Sequence, residues 1–356
     1  MGSDAHEQDA TTGTAAHRRP AFTDETITLA HGAGGKASAA LIDAVFIPAF
    51  GRPSPGELAD AATLSFPGGV LAYTTDSYVV HPIRFPGGSI GDLAVNGTVN
   101  DLAVSGARPL WLSAAFVLEE GLDVPTLRGV VADMAAAASR AGVSIVTGDT
   151  KVVPKGAADQ MFITTSGIGV VPDDLRLGAK LVRPGDRVLL SGSIADHGMA
   201  VMLARGDLAL AADIATDSAP LAAPVEALLA AAPATRWMRD ATRGGLGTVA
   251  NELARAAGLA VVLDDDALPV KPQVRGACDM LGIDPLYVAN EGCLVAIVPA
   301  DEAGAGLSAL RDAGCPQAAL VGEVLAEPAG VVAVRNAFGG ARMVDLLVGD
   351  PLPRIC

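Results

Sequence analysis

Apolar and polar positions follow two rhythms along this chain. Short, nearly continuous apolar runs at 69–75, 111–118, 143–146, 161–171, 187–191, 259–263 and 294–298 predict buried strands, with further strands near Leu320 and Val331. Between them, Ala- and Leu-rich stretches with a helical period predict helices over 89–106, 124–141, 196–205, 209–232, 272–281 and 301–313, and one that ends at Ala257. Strands therefore alternate with helices through both halves, which is the α/β pattern. The proline-bracketed stretch 172–184 reads as a linker. The expected organisation is a disordered extension over 1–22, an N-terminal domain over 23–172, a C-terminal domain over 183–348 and a tail over 349–356.

Composition narrows the classes. Half of the 356 residues are hydrophobic, enough for two cores. A net charge of −15 and the lack of clustered Lys and Arg argue against a nucleic-acid partner. No run approaches the ~18 apolar residues of a membrane span, and the polar start 1–20 has no signal-peptide core. The four cysteines, Cys278, Cys293, Cys315 and Cys356, contain no Cys-x-x-Cys pair, which suits a reducing cytoplasm. Cys278 and Cys293 lie in apolar surroundings and read as packing residues.

Candidate chemistry sits at the joints of this pattern. His31-Gly-Ala-Gly-Gly-Lys36 is a glycine-rich turn at a helix start; Gly34, Gly35 and Lys36 suit a phosphate chain, or form a plain loop with an incidental lysine. The strand from 69 delivers Asp76 near its end, and Thr147-Gly148-Asp149-Thr150-Lys151 follows the strand 143–146 in the same way. On the helix from 89, Asp92, Asn96 and Asn100 fall four apart with Asp101 beside them, either a solvated face or a face for a metal and a nucleotide. Asp76, Asp101 and Asp149 form a candidate oxygen-ligand set for Mg²⁺, which prefers few carboxylates plus phosphates, with Lys151 in reach. Met238 to Gly247 is a second glycine-rich turn at a helix start, and here Arg243, Gly244 and Gly245 make a stronger anion site. Glu291, just ahead of an uncharged strand, is a candidate for a partly buried base. His197 reads as a structural residue near a helix cap. The tail Gly349-Asp-Pro-Leu-Pro-Arg-Ile-Cys356 is an extended arm of roughly 26 Å, and its terminal thiol suits a carrier that a partner loads.

Seven segments together resemble one family: His31–Lys36, Thr74-Thr-Asp-Ser-Tyr-Val-Val80, Gly97-Thr-Val-Asn-Asp-Leu-Ala103, Thr147-Gly-Asp-Thr-Lys-Val-Val153, Arg239-Asp-Ala-Thr-Arg-Gly-Gly-Leu246, Tyr287-Val-Ala-Asn-Glu-Gly292 and Pro353-Arg-Ile-Cys356. In order and over 29–356, they are similar to the HypE family, the carbamoyl dehydratases of nickel-iron hydrogenase maturation. That family lies within the superfamily of aminoimidazole ribonucleotide synthetase and selenophosphate synthetase.

The resemblance implies a two-domain aminoimidazole ribonucleotide synthetase-like fold: an N-terminal mixed sheet that pairs in a homodimer and binds ATP and Mg²⁺, a C-terminal α/β sandwich and an extended tail. It implies that Cys356 receives a carbamoyl group from a partner carbamoyltransferase. ATP-dependent dehydration then makes a thiocyanate, and the cyanide passes to iron on a scaffold complex. Lys151 and Glu291 match the family's proton-handling pair, and the nucleotide motifs extend to Asp76, Asn100, Thr147, Gly148 and Arg243. Two other readings are a kinase for a free small molecule and a non-catalytic thiol carrier. Selenophosphate synthetases carry a Cys or selenocysteine ahead of the glycine loop, and residues 20–36 contain neither.

Overall fold

The computed structural model describes residues 35–41, 43, 62–66, 68–206 and 212–347. The expected extension, Gly34 and the tail with Cys356 lie outside the described residues. Helix α1 (Lys36–Leu41) leads to two sheets that divide the chain between them.

In the first sheet, β1 (Ala62–Phe66), β2 (Gly69–Tyr78), β5 (Arg108–Glu119), β6 (Ser144–Val153) and β7 (Met161–Val171) are ordered β1-β2-β7-β5-β6. All neighbours are antiparallel except β5 and β6, which α3 (Val124–Ala141) joins as a crossover. A small hairpin, β3 (Arg84–Phe85) and β4 (Gly88–Ser89), feeds α2 (Ile90–Val104). Ser89 caps that helix: its hydroxyl accepts from the Gly91 amide, while Asp92 accepts from the Ser89 amide in return. Along β7, Met161, Ile163, Thr165, Gly167 and Gly169 are buried and the residues between them are half-exposed, so the sheet is covered on one face. On the other face Tyr73 and Trp111, which flank Ile168 in register, stay 43% and 51% exposed.

In the second sheet, β8 (Arg187–Leu190), β9 (Trp237–Asp240), β10 (Ala260–Asp264), β11 (Leu294–Val298), β12 (Ala319–Leu325), β13 (Val332–Arg335) and β14 (Ala341–Met343) are ordered β14-β13-β10-β12-β8-β11-β9. All five residues of β11 are buried, in alternation, into two cores. Leu294, Ala296 and Val298 pack with α5 (Ala222–Ala231) and α8 (Ala303–Asp312), while Val295 and Ile297 pack with α6 (Gly245–Ala257). The result is a helix–sheet–helix sandwich. A third cluster joins the halves: Val95 and Val99 of α2 pack in one body with Met199 and Val201 of α4 (Asp196–Ala204) and Val274 and Cys278 of α7 (Pro272–Leu281).

Several expectations change. Helix α2 is buried all round, Asn96 and Asn100 included, because it is wedged between the first sheet and the second domain, so its polar stripe is no solvent face. The strand expected to be buried over 143–146 is an exposed edge strand that runs on to Val153, so Asp149 is mid-strand rather than at a strand end. The helix expected over 209–232 forms only at Ala222–Ala231, and 212–221 is irregular because Pro220 and the turn-forming Thr216-Asp217-Ser218 oppose helix. Strands β1, β3, β4, β9 and β14 differ from the sequence reading, which takes 238–247 as turn throughout. Among the described residues, no helix is long and apolar enough to cross a membrane.

Candidate active site

The carboxyl end of β2, the middle of α2, the turn between β9 and α6 and the turn before β11 enclose a cleft of about 120 Å³. Asp76, Ser77, Tyr78, Gly97, Asp101, Asp240, Thr242, Arg243 and Glu291 line it, so four acids face one base. The Thr74 hydroxyl donates to Asp101 at 2.8 Å, and the Ser77 amide donates to Asp76 at 2.8 Å. Gly97 has a local reason: a Cβ there would stand 2.2 Å from the Tyr78 phenol oxygen. Burial, and then Asp76 and Asp101, hold that phenol well above its usual range, so it remains a neutral donor.

Glu291 is 4% exposed. Burial first, then Asp240, Asp217 and Asp76, push its carboxyl well above the usual range, against the pull of Arg243. Burial likewise lifts Asp240 and Asp217, each to about 6. Asp76 keeps a solvent-exposed face, yet the mass of protein around the cleft raises its carboxyl too, opposed by the Ser77 amide and Arg243. Crowded acids of this kind could hold a divalent cation, and Asp76 and Asp101 are the carboxylates that could serve Mg²⁺ beside phosphates. Among the described residues, no three His, Cys, Asp or Glu side chains are grouped to hold a metal unaided.

Raised carboxyls bind protons more tightly folded than unfolded, so Asp217 and Asp240 contribute stability that is full below about pH 4 and lost as pH rises through about 6. Asp240→Asn is expected to flatten the fall in melting temperature between pH 5 and 7.5, measured without nucleotide.

At the helix start, Gly244 and Gly245 have φ of +77° and +60°, and a Cβ on Gly245 would stand 2.5 Å from the Leu286 carbonyl oxygen. Arg243 is exposed at the cleft immediately before them. Lys36 lies 3.8 Å from Asp345, which also approaches Arg255 at 3.6 Å, while its carbonyl accepts from the Tyr287 hydroxyl at 2.7 Å. Asn251 of α6 donates to the Val344 carbonyl at 2.9 Å. The chain leading to the tail is therefore anchored along α6.

Asp76, Asp101, Arg243 and Glu291 thus meet in one cleft. Thr147, Gly148, Asp149 and Lys151 do not join them within one chain: β6 is three strands from β2, roughly 14 Å away. Register puts Asp149 in a row with Ala115, Thr164 and Ser77 on the uncovered face, whereas Asp76 pairs with Thr165 on the covered one. Asp149 and Lys151 pair with each other at 2.9 Å, which holds the Asp149 carboxyl low. Gly148 meets a packing need, since a Cβ there would be 2.2 Å from the Ala114 carbonyl oxygen.

Asn100 corrects the expectation of a nucleotide ligand. It is 1% exposed, and its amide donates to Ala219 O and Glu291 O at 3.0 and 3.1 Å while its oxygen accepts from Leu221 N at 2.7 Å. It clips the domains together, so Asn100→Ala is expected to cost about 3 kcal/mol by stranding these groups, checked by chemical denaturation. His197 is structural, hydrogen-bonded to Thr216 and edge-on to Phe85. Burial pushes the Cys278 and Cys293 thiols up to about 11 and 12, so neither is a reagent.

Sequence reasoning passed over Tyr78, Asp217 and Asp240. Asp240 stands at a strand end, the signal that singled out Asp76. Asp217 was concealed by the helix expected around it.

Residues 58–171 match the family model for the AIR synthase related protein, N-terminal domain, and residues 183–335 that for its C-terminal domain. The carbamoyl dehydratase HypE of Rhodobacter capsulatus is 55% identical over 94% of this chain and all of its own. Two crystal structures superpose along nearly their full lengths. A HypE–HypF complex gives a TM-score of 0.82 at 44% identity, covering 86% of this chain and 100% of that one. HypE in complex with ATP gives 0.77 at 48%, covering 93% and 100%. With this likeness running through both domains and the cleft between them, the chain belongs to the carbamoyl dehydratase HypE family.

Proposed function

We propose that this chain uses ATP to dehydrate an S-carbamoyl group on Cys356 to a thiocyanate, which supplies the cyanide ligand of iron in nickel-iron hydrogenase maturation. The observation that carries the reading is the Glu291 carboxyl, buried in an acidic cleft beside Asp76, Asp101 and Arg243. The carbonyl oxygen of S–CO–NH₂ is a poor leaving group, so it first takes the γ-phosphoryl group of ATP, releasing ADP. Loss of two nitrogen protons and departure of that oxygen as phosphate leave S–C≡N. Asp76 and Asp101 would hold Mg²⁺, whose chemistry is to neutralise charge building on the phosphates. Arg243 and the amides of the α6 start bind the phosphoryl group, and the Tyr78 phenol donates within the same cleft. Glu291, in its ionised form, has a high proton affinity and takes a proton from nitrogen.

Phosphate binding at Gly34, Gly35, Lys36, Gly244 and Gly245 belongs to the same reading, as does the two-domain division. Tethering makes the reaction intramolecular, and the chain ahead of the tail is anchored at Val344 and Asp345 by Asn251 of α6 and by Tyr287. The uncovered sheet face with Tyr73 and Trp111 suits a homodimer, in which Thr147, Asp149 and Lys151 would meet another chain. The HypF of the related complex corresponds to the expected carbamoyltransferase that loads Cys356. An iron-carrying scaffold then accepts cyanide, in the cytoplasm.

Intact mass, measured after incubation with a carbamoyl donor system and then with MgATP, tests the reading. A carbamoyl adduct on the C-terminal peptide that loses one water supports it. An adduct that never dehydrates leaves a thiol carrier, and no adduct points to a kinase for a free substrate.

A further inference from the structure

The irregular segment before α5 is ordered entirely by what it touches. The Thr216 amide donates to the Pro86 carbonyl at 2.9 Å, and the Ser218 hydroxyl accepts from Asn96 at 3.0 Å. Asn100 then holds the Ala219 carbonyl and the Leu221 amide. This strap is thereby fastened to the first domain at three points. Its other side faces the turn that carries Glu291. There the Asp217 carboxylate accepts from two successive main-chain amides, Glu291 N–H on one oxygen at 3.0 Å and Gly292 N–H on the other at 3.1 Å. Because Asn100 also donates to the Glu291 carbonyl at 3.1 Å, the base is held by both of its peptide groups. One carboxylate bridging consecutive amides fixes the peptide plane between them, and with it the direction in which the Glu291 side chain leaves the backbone.

We infer that Asp217 is a positioning residue for dehydration: it aims Glu291 into the cleft and links that aim to the packing of the strap against the first domain. This rests on Glu291 being the base proposed above. No other side chain is recorded on these two amides among the described residues. The charges around the pair are few. Asp217 has Asp196 near it, itself paired with Lys271 at 2.7 Å, and Glu291 faces Asp240, Asp217, Asp76 and Arg243. The negative charge of Asp217 adds to the proton affinity of Glu291, so its removal lowers the pH at which Glu291 becomes available as a base.

The test uses the full-length S-carbamoylated chain in single-turnover dehydration with MgATP across pH. Asp217→Asn keeps the shape but sets an NH₂ group against one of the two amides. Its rate is expected to fall about 10- to 100-fold. The KM for ATP and the extent of carbamoylation should stay unchanged, and the acid limb of the pH–rate profile should move to lower pH. Asp217→Ser, which keeps one acceptor in less volume, serves if Asp217→Asn does not fold. Wild-type rate and profile in the variant would overturn the inference, as would a loss confined to KM or melting temperature. A wild-type chain that is carbamoylated but never dehydrates would instead overturn the function on which it rests.

Discussion

Glu291→Gln is expected to give a chain that folds, binds ATP and accepts the carbamoyl group but dehydrates it about 10³-fold more slowly, the usual worth of a positioned base. The separation of folding from chemistry follows from electrostatics. Among Asp240, Asp217 and Asp76, with burial the dominant effect, the Glu291 carboxyl resists ionisation, so the folded chain is built around its neutral form. Glutamine reproduces that form in size and charge, and the backbone contacts of residue 291 with Asp217 and Asn100 do not involve its side chain. What glutamine cannot do is take a proton from nitrogen. Single-turnover mass spectrometry with MgATP reads the effect directly: the carbamoyl adduct should accumulate and persist. An adduct lost at the wild-type rate would remove Glu291 from the reaction.

The next residue should act through structure. A Cβ on Gly292 would stand 1.9 Å from the Asp217 carbonyl oxygen and 2.9 Å from its carbonyl carbon. Both are backbone atoms of the strap that Pro86, Asn96 and Asn100 fasten down, so the obstacle has little room to yield. Gly292→Ala is therefore expected to destabilise the fold by about 3 kcal/mol or more. That corresponds to a drop of roughly 4 °C in melting temperature for a chain of this length. It should also slow dehydration by displacing Glu291. Thermal melts beside hydrogen exchange at 290–292 would check this, and an unchanged melt would contradict the close approach.

Local pattern carried much of the fold. Helices 124–141 and 272–281 and strands 161–171 and 294–298 have the bounds expected of them, because caps, prolines and largely apolar runs rich in β-branched residues leave little choice. Asp76, Asp101, Arg243 and Glu291, chosen from four separate segments, share one cleft where the first sheet and α2 meet the turns of the second domain. The sequence is least legible where a residue's place depends on partners distant along the chain. Asn100 looked like a ligand because its stripe is polar, and its partners, Ala219, Leu221 and Glu291, are more than a hundred positions away. Within one chain, period-two alternation and strand order set Asp149 and Lys151 on the face opposite the cleft, and neither is readable from a single run. The alanines around Asp217 promised a helix; Pro220 and the turn residues oppose it, and the contacts that fix the segment instead come from the other domain.

Helix α2 has no side of its own: the first sheet, the second domain and the strap each claim part of its surface, and thirteen of its fifteen residues are buried. Its Val95 and Val99 share one interior with Met199, Val201 and Val274 from beyond the linker. The molecule thus has two sheets but no seam. Drawing the halves apart would turn the interior of both into wet surface, so the covalent joint at 172–184 is a convenience of synthesis, and the real union is a helix that belongs to both.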